Sequence, residues 1–599
     1  MSFQRKTTFA CILLLLTDFL VYFRTLAPVV QFIDSGELAV VCKTLGIAHP
    51  TGYPLYTLLG RLFTLLPIRD IIFRVNLFSL LLVCLANLFL FFIVLKLLEN
   101  ESDVTIWAAF LASLVFSFTP TLWSQATSNE VYGLNVFCYN LIICLLLIWR
   151  EKLQKGGGSK ILYLLIFVYG LCFGNHMMIV LLLPAVLFIL LCYKKKSLFD
   201  PERLLFYIIF FILGLSLYVY LPIRSAQNPL LNWDSPENWL AFKRHVSGWQ
   251  YKAWMFSASS EQLFSNLGMF GKLFFHNFPL YLLPFTFLGI WKLAVKDRKL
   301  LVFFLIFFFF ALIYAVNYSI PDIDAYFLGC FLVNVIFVGN GFFFLFQNLR
   351  RAKLHQIISA GIIFLFIFFP LVLLKKNYFE QDKSQSYFAC DLNSNILRST
   401  KKDGLLLTQL WGHYAPWLYL RYIEFKRPDL VVLSRDLCVY SWYADYVKRN
   451  YPQVYRNSED LIEPYIEEIS RYENSQPYDK DIIRERYLNM LDGYLLRNLN
   501  QRRIYENLVG EQDVGYMLAK IPEGLVYALK DTLTYYPYDF PDFRLRGVAD
   551  KNVYRDERTR LFLLVYPLMI GERIRYLQQF RMADEAQALS EKYAKLLQK

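Results

Sequence analysis

Long apolar runs alternate with short polar connections along the first 375 residues, whereas the last 220 or so residues mix apolar, aromatic and charged positions. A helix that crosses about 30 Å of hydrocarbon needs roughly 20 mostly apolar residues. The pattern therefore predicts a polytopic α-helical membrane domain over residues 1–375, followed by a soluble domain over 376–599. The eleven predicted spans are 9–27, 72–96, 104–122, 131–149, 161–174, 176–193, 203–222, 278–295, 300–316, 327–347 and 356–375.

Two of these spans, 161–174 and 176–193, are short and tightly joined, which leaves the exact count around 161–193 open. The first run follows Arg5 and Lys6, like a secretory signal, but it is about 19 residues long and lacks a small-x-small cleavage pattern. We expect it to be an uncleaved first span.

The basic residues of the short connections predict the orientation of the spans. Lys and Arg crowd the connections near 150–160, 194–196, 292–299 and 350–353, whereas those near 120–130, 174–176 and 317–326 contain none. Positive charge favours the cytoplasmic side. We expect a cytoplasmic N-terminus and an extracytoplasmic C-terminal domain, facing the periplasm from a bacterial inner membrane or the equivalent ER lumen. Two longer outer loops, 28–71 and 223–277, do carry basic residues, which this rule leaves unexplained.

Composition narrows the class of protein. The chain has 599 residues, of which 56% are hydrophobic and 19% charged, so it is too apolar for an ordinary cytosolic enzyme or a disordered chain. The net charge of +13 lies largely between the apolar runs, which argues against nucleic acid as a partner. Ten cysteines without a CxxC pair exclude a zinc or disulfide scaffold, although a bond between Cys390 and Cys438 stays open.

The unusual polar residues fall on one predicted face of the membrane. Five outer loops contribute carboxylates, amides, imidazoles and a guanidinium, a grouping typical of a catalytic or binding vestibule. The candidates are Asp34, Glu37, His49 and Tyr53 from the first loop, Asn129 and Glu130 from the second, Asn175 and His176 from the third, Arg224, Trp233 and Lys243 from the fourth, and Asp322, Asp324 and Tyr326 from the fifth.

Each candidate also has a purely structural interpretation. A carboxylate just beyond a span, such as Asp34, can cap a helix N-terminus. His49 and His176 can satisfy turns, Asp322 can be a turn residue after Pro321, and Arg224 can reach lipid headgroups from the end of its span.

Several sequence motifs indicate the class of protein more specifically than the amino-acid composition does. Residues 26–63 read LAPVVQFIDSGELAVVCKTLGIAHPTGYPLYTLLGRLF, and RVNLFS, SNEVYGL, FGNH, YVYLPIRSAQNPLLNW and YSIPDIDAYFL follow, with YLRYIEFKRPDLVVL in the soluble part. This series resembles the multispanning family that includes the eukaryotic transmembrane O-mannosyltransferases and many bacterial relatives. The resemblance covers most of the membrane region and the start of the outer domain.

The resemblance implies a GT-C type glycosyltransferase that takes a sugar, in this family mannose, from a polyprenyl phosphate on the non-cytoplasmic face. By this likeness Asp34 is the catalytic base, Glu37 its neighbour and Glu130 a second acidic position. One stretch departs from the family, whose members tend to have an acidic cluster after the first strand of the outer domain. Here residues 406–413 read LLTQLWGH, so any role of that cluster is not carried over.

The expected reaction is an inverting transfer to a hydroxyl, of Ser or Thr in an exported protein or of a glycan. A carboxylate assists the attacking hydroxyl, and cations bind the departing phosphate. We expect Arg224 to be the main donor-binding residue, with Lys243, Arg244 and His49 as weaker ones and Tyr53, Asn175 and His176 beside them. The vestibule includes Asn129, Trp233, Asp322, Asp324 and Tyr326. No cofactor is required; a divalent metal between Asp34 and Glu130 is conceivable, but no ligand spacing demands it.

Two alternatives remain at this point. A ligase that moves a lipid-linked saccharide onto an envelope glycan or lipid would use the same site. A membrane transporter would instead place ionisable residues near the bilayer midplane within inverted repeats. The outer domain begins as α/β, with β-like segments at 404–408 and 430–433, and then becomes mainly helical.

Overall fold

A computed structural model describes residues 2–98, 100–198, 200–320, 323–351, 361, 364–507 and 514–597. Six helices among them are long and apolar enough to cross a membrane: Phe3–Arg24, Ile71–Leu98, Tyr132–Gln154, Pro201–Ser225, Arg298–Val316 and Ile323–Arg350. This confirms the predicted multi-pass helical membrane protein. The last predicted span, 356–375, lies partly outside the described residues.

The predicted span 104–122 contains a break between two helices. The predicted span 278–295 is the second helix of another broken pair, whose first helix lies in the predicted outer loop 223–277. Asp103–Ser117 and Pro120–Thr127 meet at 69°, and Ser260–Asn277 and Leu280–Lys296 meet at 75°, so the described residues contain up to eight spans if each pair counts as one. Pro120 and Pro279 lie at the breaks, where the missing N–H and the proline ring interrupt a helix. The short spans predicted at 161–174 and 176–193 are the shorter apolar helices Ser159–Phe173 and Met177–Tyr193. The count of eleven stays a prediction.

The two breaks are joined to each other by a reciprocal pair of hydrogen bonds. The backbone N–H of Thr121 donates to Oδ1 of Asn277 at 3.1 Å, and Nδ2 of Asn277 donates to the Thr121 hydroxyl at 3.0 Å. Both residues are buried. Polar side chains thus satisfy backbone groups that the interrupted helices leave open.

Contacts divide the chain into two units. The first comprises Met1–Leu26, Pro50–Leu221 and Val246–Ser384, and the second comprises Ala27–His49, Pro222–His245 and Gln385–Lys599. The second unit thus takes in one segment from each of the two long outer loops. Besides the helices named above, the first unit contains Pro54–Thr64, Leu183–Leu198, Leu283–Lys296, Leu328–Arg351, Phe368–Gln381 and the 3-10 turns Met177–Leu182, Ser216–Val219, Trp249–Tyr251, Leu280–Leu282 and Ile323–Phe327.

The second unit is built around a five-stranded sheet of order β2-β1-β3-β5-β4. Its strands are β1 (Leu405–Thr408), β2 (Val431–Ser434), β3 (Ile504–Glu506), β4 (Ala519–Glu523) and β5 (Val526–Lys530). The first three are parallel, and β5 pairs antiparallel with β3 and β4. The predicted α/β beginning is therefore present, and the sheet continues beyond the two strands that the sequence indicated.

Helices surround this sheet. They are Ser35–Thr44, Trp239–Val246, Phe388–Ser399, Trp411–Tyr422, Arg435–Cys438, Ser441–Asn450, Pro452–Asn457, Glu459–Glu473, Lys480–Leu496, Glu557–Leu563, Val565–Gln579, Ala583–Lys592 and Ala594–Leu597. All ten cysteines are free, Cys390 and Cys438 included.

Candidate active site

Asp34 directly precedes the helix Ser35–Thr44, but its side chain does not cap that helix. Its Oδ1 atom instead accepts a hydrogen bond of 2.7 Å from the indole N–H of Trp411, 377 positions along the chain. The carboxylate is therefore turned away from its own helix and toward the helix Trp411–Tyr422. The capping interpretation does not describe this residue.

An imidazole lies between Asp34 and the second carboxylate of this segment. Glu37 is completely buried and accepts hydrogen bonds from the backbone N–H of His49 at 2.7 Å and from Nδ1 of the ring at 2.6 Å. The other ring nitrogen, Nε2, lies 3.9 Å from Oδ2 of Asp34. Because an ionised carboxylate only accepts hydrogen bonds, Glu37 fixes the proton on Nδ1 and aims Nε2 at Asp34.

The backbone around His49 is fixed by the segment that precedes Trp233. The N–H of Ile47 donates to the carbonyl oxygen of Leu231 at 2.8 Å, and Ile47 and Asn232 form a parallel bridge. The Trp233 ring then lies edge-on to His49, with the ring centroids 6.0 Å apart. Aromatic side chains thus form one wall beside the two carboxylates.

Close helix packing sets the position of Asp34. A Cβ on Gly36 would lie 2.0 Å from the carbonyl oxygen of Ala415, so only glycine allows the helix Ser35–Thr44 to approach the helix Trp411–Tyr422 this closely. This approach brings Asp34 within reach of Trp411. Any larger residue at position 36 would push the two helices apart.

Burial raises the pKa of the Asp34 carboxyl above its ordinary value, and the nearby Glu37 charge adds to this effect. The charge on His49, the Trp411 hydrogen bond and the charge on Arg558 act in the opposite direction on that pKa. A carboxylate with a raised pKa is a better proton acceptor at neutral pH. Asp34 keeps 16% of its side chain exposed, so a substrate can still reach it.

Arg224 holds the far end of the helix that Asp34 precedes. Its Nε donates to the carbonyl oxygen of Leu45 at 2.8 Å and its Nη2 to that of Thr44 at 3.3 Å, while Nη1 donates to Gln227. A guanidinium at a helix C-terminus satisfies the last carbonyl groups and complements the helix dipole. Lys243 is exposed on the helix Trp239–Val246. Donor binding by these two residues stays a prediction.

A buried ion network beside Trp233 was not identified from the sequence. Nη2 of Arg244 lies 2.9 Å from Oδ1 of Asp234 and Nη1 lies 3.6 Å from Oε2 of Glu473, with all three side chains at least 88% buried. Burial raises the pKa of Asp234 to about 6, and it lowers that of His245 to about 3. The network joins the residue that follows Trp233 to the helix Trp239–Val246 and to the helix Glu459–Glu473.

The first unit brings three of the other candidates, Tyr53, His176 and Tyr326, together with Tyr132. His176 stacks on Tyr53 with centroids 5.7 Å apart, and it contacts Tyr132 at 5.6 Å and Tyr326 at 5.9 Å. Its Nδ1 accepts a hydrogen bond from the backbone N–H of Met178 at 3.1 Å. This aromatic cluster joins residues from the predicted first, second, third and fifth outer loops.

Hydrogen bonds between side chains and backbone groups join the second loop to the helix Ile71–Leu98 and to the third loop. The N–H of Asn129 donates to Asn76 at 2.9 Å, that of Glu130 donates to the Ser79 hydroxyl at 3.4 Å, and Asn175 Nδ2 donates to the carbonyl oxygen of Val131 at 3.1 Å. Asp324 lies in the 3-10 turn Ile323–Phe327. Asp322 lies outside the described residues.

Two carboxylates and one imidazole of the second unit lie close enough together to be considered as metal ligands. Asp34, Glu37 and His49 each offer one ligand atom within 4.8 Å of the others. However, the 2.6 Å between Glu37 and His49 is the length of a strong hydrogen bond, so these atoms already satisfy each other. The arrangement among the described residues is that of a carboxylate–imidazole–carboxylate chain.

A comparison with known protein families matches a region of this chain that begins at Asp34. Residues 34–199 match the model of the Protein O-mannosyl-transferase TMEM260 N-terminal domain. A mouse Protein O-mannosyl-transferase TMEM260 is 29% identical over 463 residues, covering 70% of this chain and 62% of its own length. A Dictyostelium discoideum protein of that name is 23% identical over 493 residues. This match covers 73% of the present chain and 59% of the Dictyostelium protein. These matches confirm the predicted resemblance; the chain spans about three fifths of the length of these relatives.

Solved structures show a more distant likeness. ArnT from Cupriavidus metallidurans bound to undecaprenyl phosphate has 12% identity and a TM-score of 0.44, covering 71% of this chain and 89% of its own. The Archaeoglobus fulgidus oligosaccharyltransferase in complex with Zn and sulfate has 11% identity and a TM-score of 0.44, covering 77% and 70%. Likeness at this level does not by itself establish a shared fold.

Proposed function

Because the likeness to the protein O-mannosyl-transferases is confirmed over residues 34–199, we propose that this chain is a membrane-bound glycosyltransferase of the GT-C type. It moves mannose from a polyprenyl-phosphate donor to a Ser or Thr hydroxyl of an exported protein. The observation that supports this most directly is the Asp34 carboxylate, which the Trp411 hydrogen bond and the His49–Glu37 pair hold in one orientation.

The proposed step is a single inverting displacement. The acceptor hydroxyl oxygen attacks the anomeric carbon and forms the new glycosidic bond, while Asp34 takes the hydroxyl proton. The bond between the anomeric carbon and the phosphate oxygen breaks, and polyprenyl phosphate leaves with the electron pair. Such base assistance contributes roughly 10²–10⁴-fold. The step balances without a redox cofactor or an added metal.

Donor binding is assigned to the residues that the sequence singled out. Phosphate leaves as a stable anion, so it needs cationic and hydrogen-bonding partners rather than a strong acid. In the second unit, the exposed Lys243 supplies positive charge, whereas the donors of Arg224 already bind the carbonyl groups of Leu45 and Thr44 and the side chain of Gln227. Within the first unit, a role for Tyr53, Asn175, His176 and Tyr326 in donor binding stays a prediction from the sequence. Glu130 is retained as the second acidic residue.

The orientation belongs to the same proposal. With the N-terminus in the cytoplasm, the segment that carries Asp34 and the C-terminal unit face the periplasm or the ER lumen, where an exported acceptor is found. The alternation of basic and uncharged connections supports this orientation.

The decisive experiment is Asp34→Asn in the purified full-length chain, assayed with radiolabelled mannosyl-phosphopolyprenol and a Ser/Thr-rich peptide. We expect transfer to fall at least about 100-fold while the protein stays folded. Asp445→Asn, on an exposed position of the same unit, is the matched control and should keep full activity. Normal turnover by Asp34→Asn would overturn the assignment, and transfer to a glycan but not to the peptide would instead support the saccharide ligase.

A further inference from the structure

Trp411 occupies a position from which one side chain reaches both the catalytic carboxylate and its aromatic wall. It is the first residue of the helix Trp411–Tyr422 and follows β1 after two residues. Its N–H donates to Asp34, and its ring lies edge-on to Trp233 with centroids 5.4 Å apart. The family model, which matches residues 34–199, does not include this residue.

The surroundings of Trp411 keep both partners of this hydrogen bond in place. Phe562 stacks on Phe32, two residues before Asp34, with centroids 4.5 Å apart. The same ring lies against Gly412, where an added Cβ would be 2.1 Å from Phe562 Cζ. One phenyl ring therefore packs against the residue next to Trp411 and the segment that leads to Asp34.

The hydrogen bond also distinguishes the two oxygens of the base. Oδ1 of Asp34 is occupied by the indole N–H, whereas Oδ2 is the oxygen that faces Nε2 of His49. We propose that Trp411 is a positioning residue for the transfer reaction: its hydrogen bond to Oδ1 stabilises the carboxylate and leaves Oδ2 of Asp34 as the atom that takes the acceptor proton. This inference rests on the proposed function.

Several charged groups also affect the pKa of Asp34, and a substitution of Trp411 leaves these groups in place. Glu37 and His49 act from the same loop segment, and Arg558 acts from the helix Glu557–Leu563. The Trp411 hydrogen bond stabilises the ionised form and so lowers the pKa of Asp34 against the effect of burial. Removing the indole N–H while leaving those charges in place should therefore raise that pKa.

The test compares the pH dependence of kcat/KM for mannosyl transfer in the wild type and in Trp411→Phe, both as the full chain. We expect the acid limb to move to higher pH by about one unit, because a hydrogen bond to a charged group is of that strength. At a pH below the shifted limb, this shift lowers kcat/KM about tenfold. The ring of Trp442 also packs on Trp233, so Trp442→Phe removes an indole from the same aromatic cluster but keeps the hydrogen bond between Trp411 and Asp34. This variant should leave the acid limb in place.

Replacement of Trp411 by benzothienylalanine keeps the bicyclic shape without the N–H, and it serves if the phenylalanine variant is unstable. An unshifted acid limb in either folded variant, with transfer intact in the wild type, would overturn this inference alone. A wild-type chain that transfers no mannose would instead overturn the proposed function, and this inference with it.

Discussion

The Nδ1 atom of His49 lies 2.6 Å from a carboxylate oxygen of Glu37, whose side chain has no exposed surface. A buried carboxylate with this partner orients the imidazole instead of taking part in proton transfer itself, as in other carboxylate–histidine pairs. Glu37 thus acts on Asp34 through His49.

Glu37→Gln should lower kcat roughly 100-fold, because a neutral amide accepts a weaker hydrogen bond from Nδ1 and can present its NH2 group to the ring instead. The imidazole then loses its fixed orientation toward Asp34. The measurement is steady-state transfer with the donor and the acceptor varied in turn. Glu467→Gln, on an exposed helix face, is the control. Full activity in Glu37→Gln would show that the pair has no role in the reaction.

Arg224→Ala tests whether this residue supports the helix or binds the donor. The guanidinium donates to two carbonyl groups at the end of the helix Ser35–Thr44, so its loss should destabilise the second unit by about 1–3 kcal/mol and lower kcat more than it raises the donor KM. Lysine at this position should restore only part of both, because it lacks the planar fork. A raised donor KM with an unchanged melting temperature would instead support the phosphate-binding role that the sequence predicts.

Arg244→Ala should lower the melting temperature, because it leaves the Asp234 and Glu473 carboxylates buried without their shared cation. Breaking a buried pair costs about 3–5 kcal/mol. The adjacent Lys243→Ala removes an exposed charge from the same helix and should change stability by less than about 0.5 kcal/mol. Equal effects of the two substitutions would contradict the buried network.

Acid should destabilise the second unit partly through His413. Burial lowers the pKa of this imidazole to about 4, whereas in the unfolded chain it is about 6.5. The stability contributed by the neutral ring is present above the unfolded pKa and is lost as the pH falls toward the folded pKa. His413→Gln should therefore lose about 1–2 kcal/mol less than the wild type between pH 7 and pH 5 in thermal melts; an identical loss would argue against this titration.

A chelator should leave mannosyl transfer unchanged. The proposed displacement balances without a metal, because Asp34 takes the hydroxyl proton and polyprenyl phosphate leaves as a stable anion. Transfer measured after dialysis against EDTA checks this expectation. Activity that disappears and returns with Mn²⁺ or Mg²⁺ would show that a cation takes part.

The sequence predicts this fold where the signal is local. Apolar runs of about 20 residues mark the spans, and the apolar segments at 404–408 and 430–433 mark β1 and β2. Strand β3 is only three residues long and lies among arginines, tyrosines and glutamates, so no alternation identifies it. Short strands in polar surroundings depend on their neighbours in the sheet.

The residues of the candidate site also differ in whether a local sequence pattern identifies them. Asp34, Glu37 and His49 lie within 16 positions of one another, and the outer-loop pattern indicates all three. The Trp411 contact spans 377 positions and depends on a helix packing that no local pattern encodes. The one available signal was the unusual stretch at 406–413, where an aromatic residue stands in place of the acidic cluster usual in the family.

Because the second unit is assembled from Ala27–His49, Pro222–His245 and Gln385–Lys599, it can be completed only after the last of these segments has been made. The ribosome makes the segment with Asp34 hundreds of residues before the one with Trp411. A nascent chain therefore carries the Asp34 carboxylate without its hydrogen-bond donor until the segment that contains Trp411 has been translated and folded.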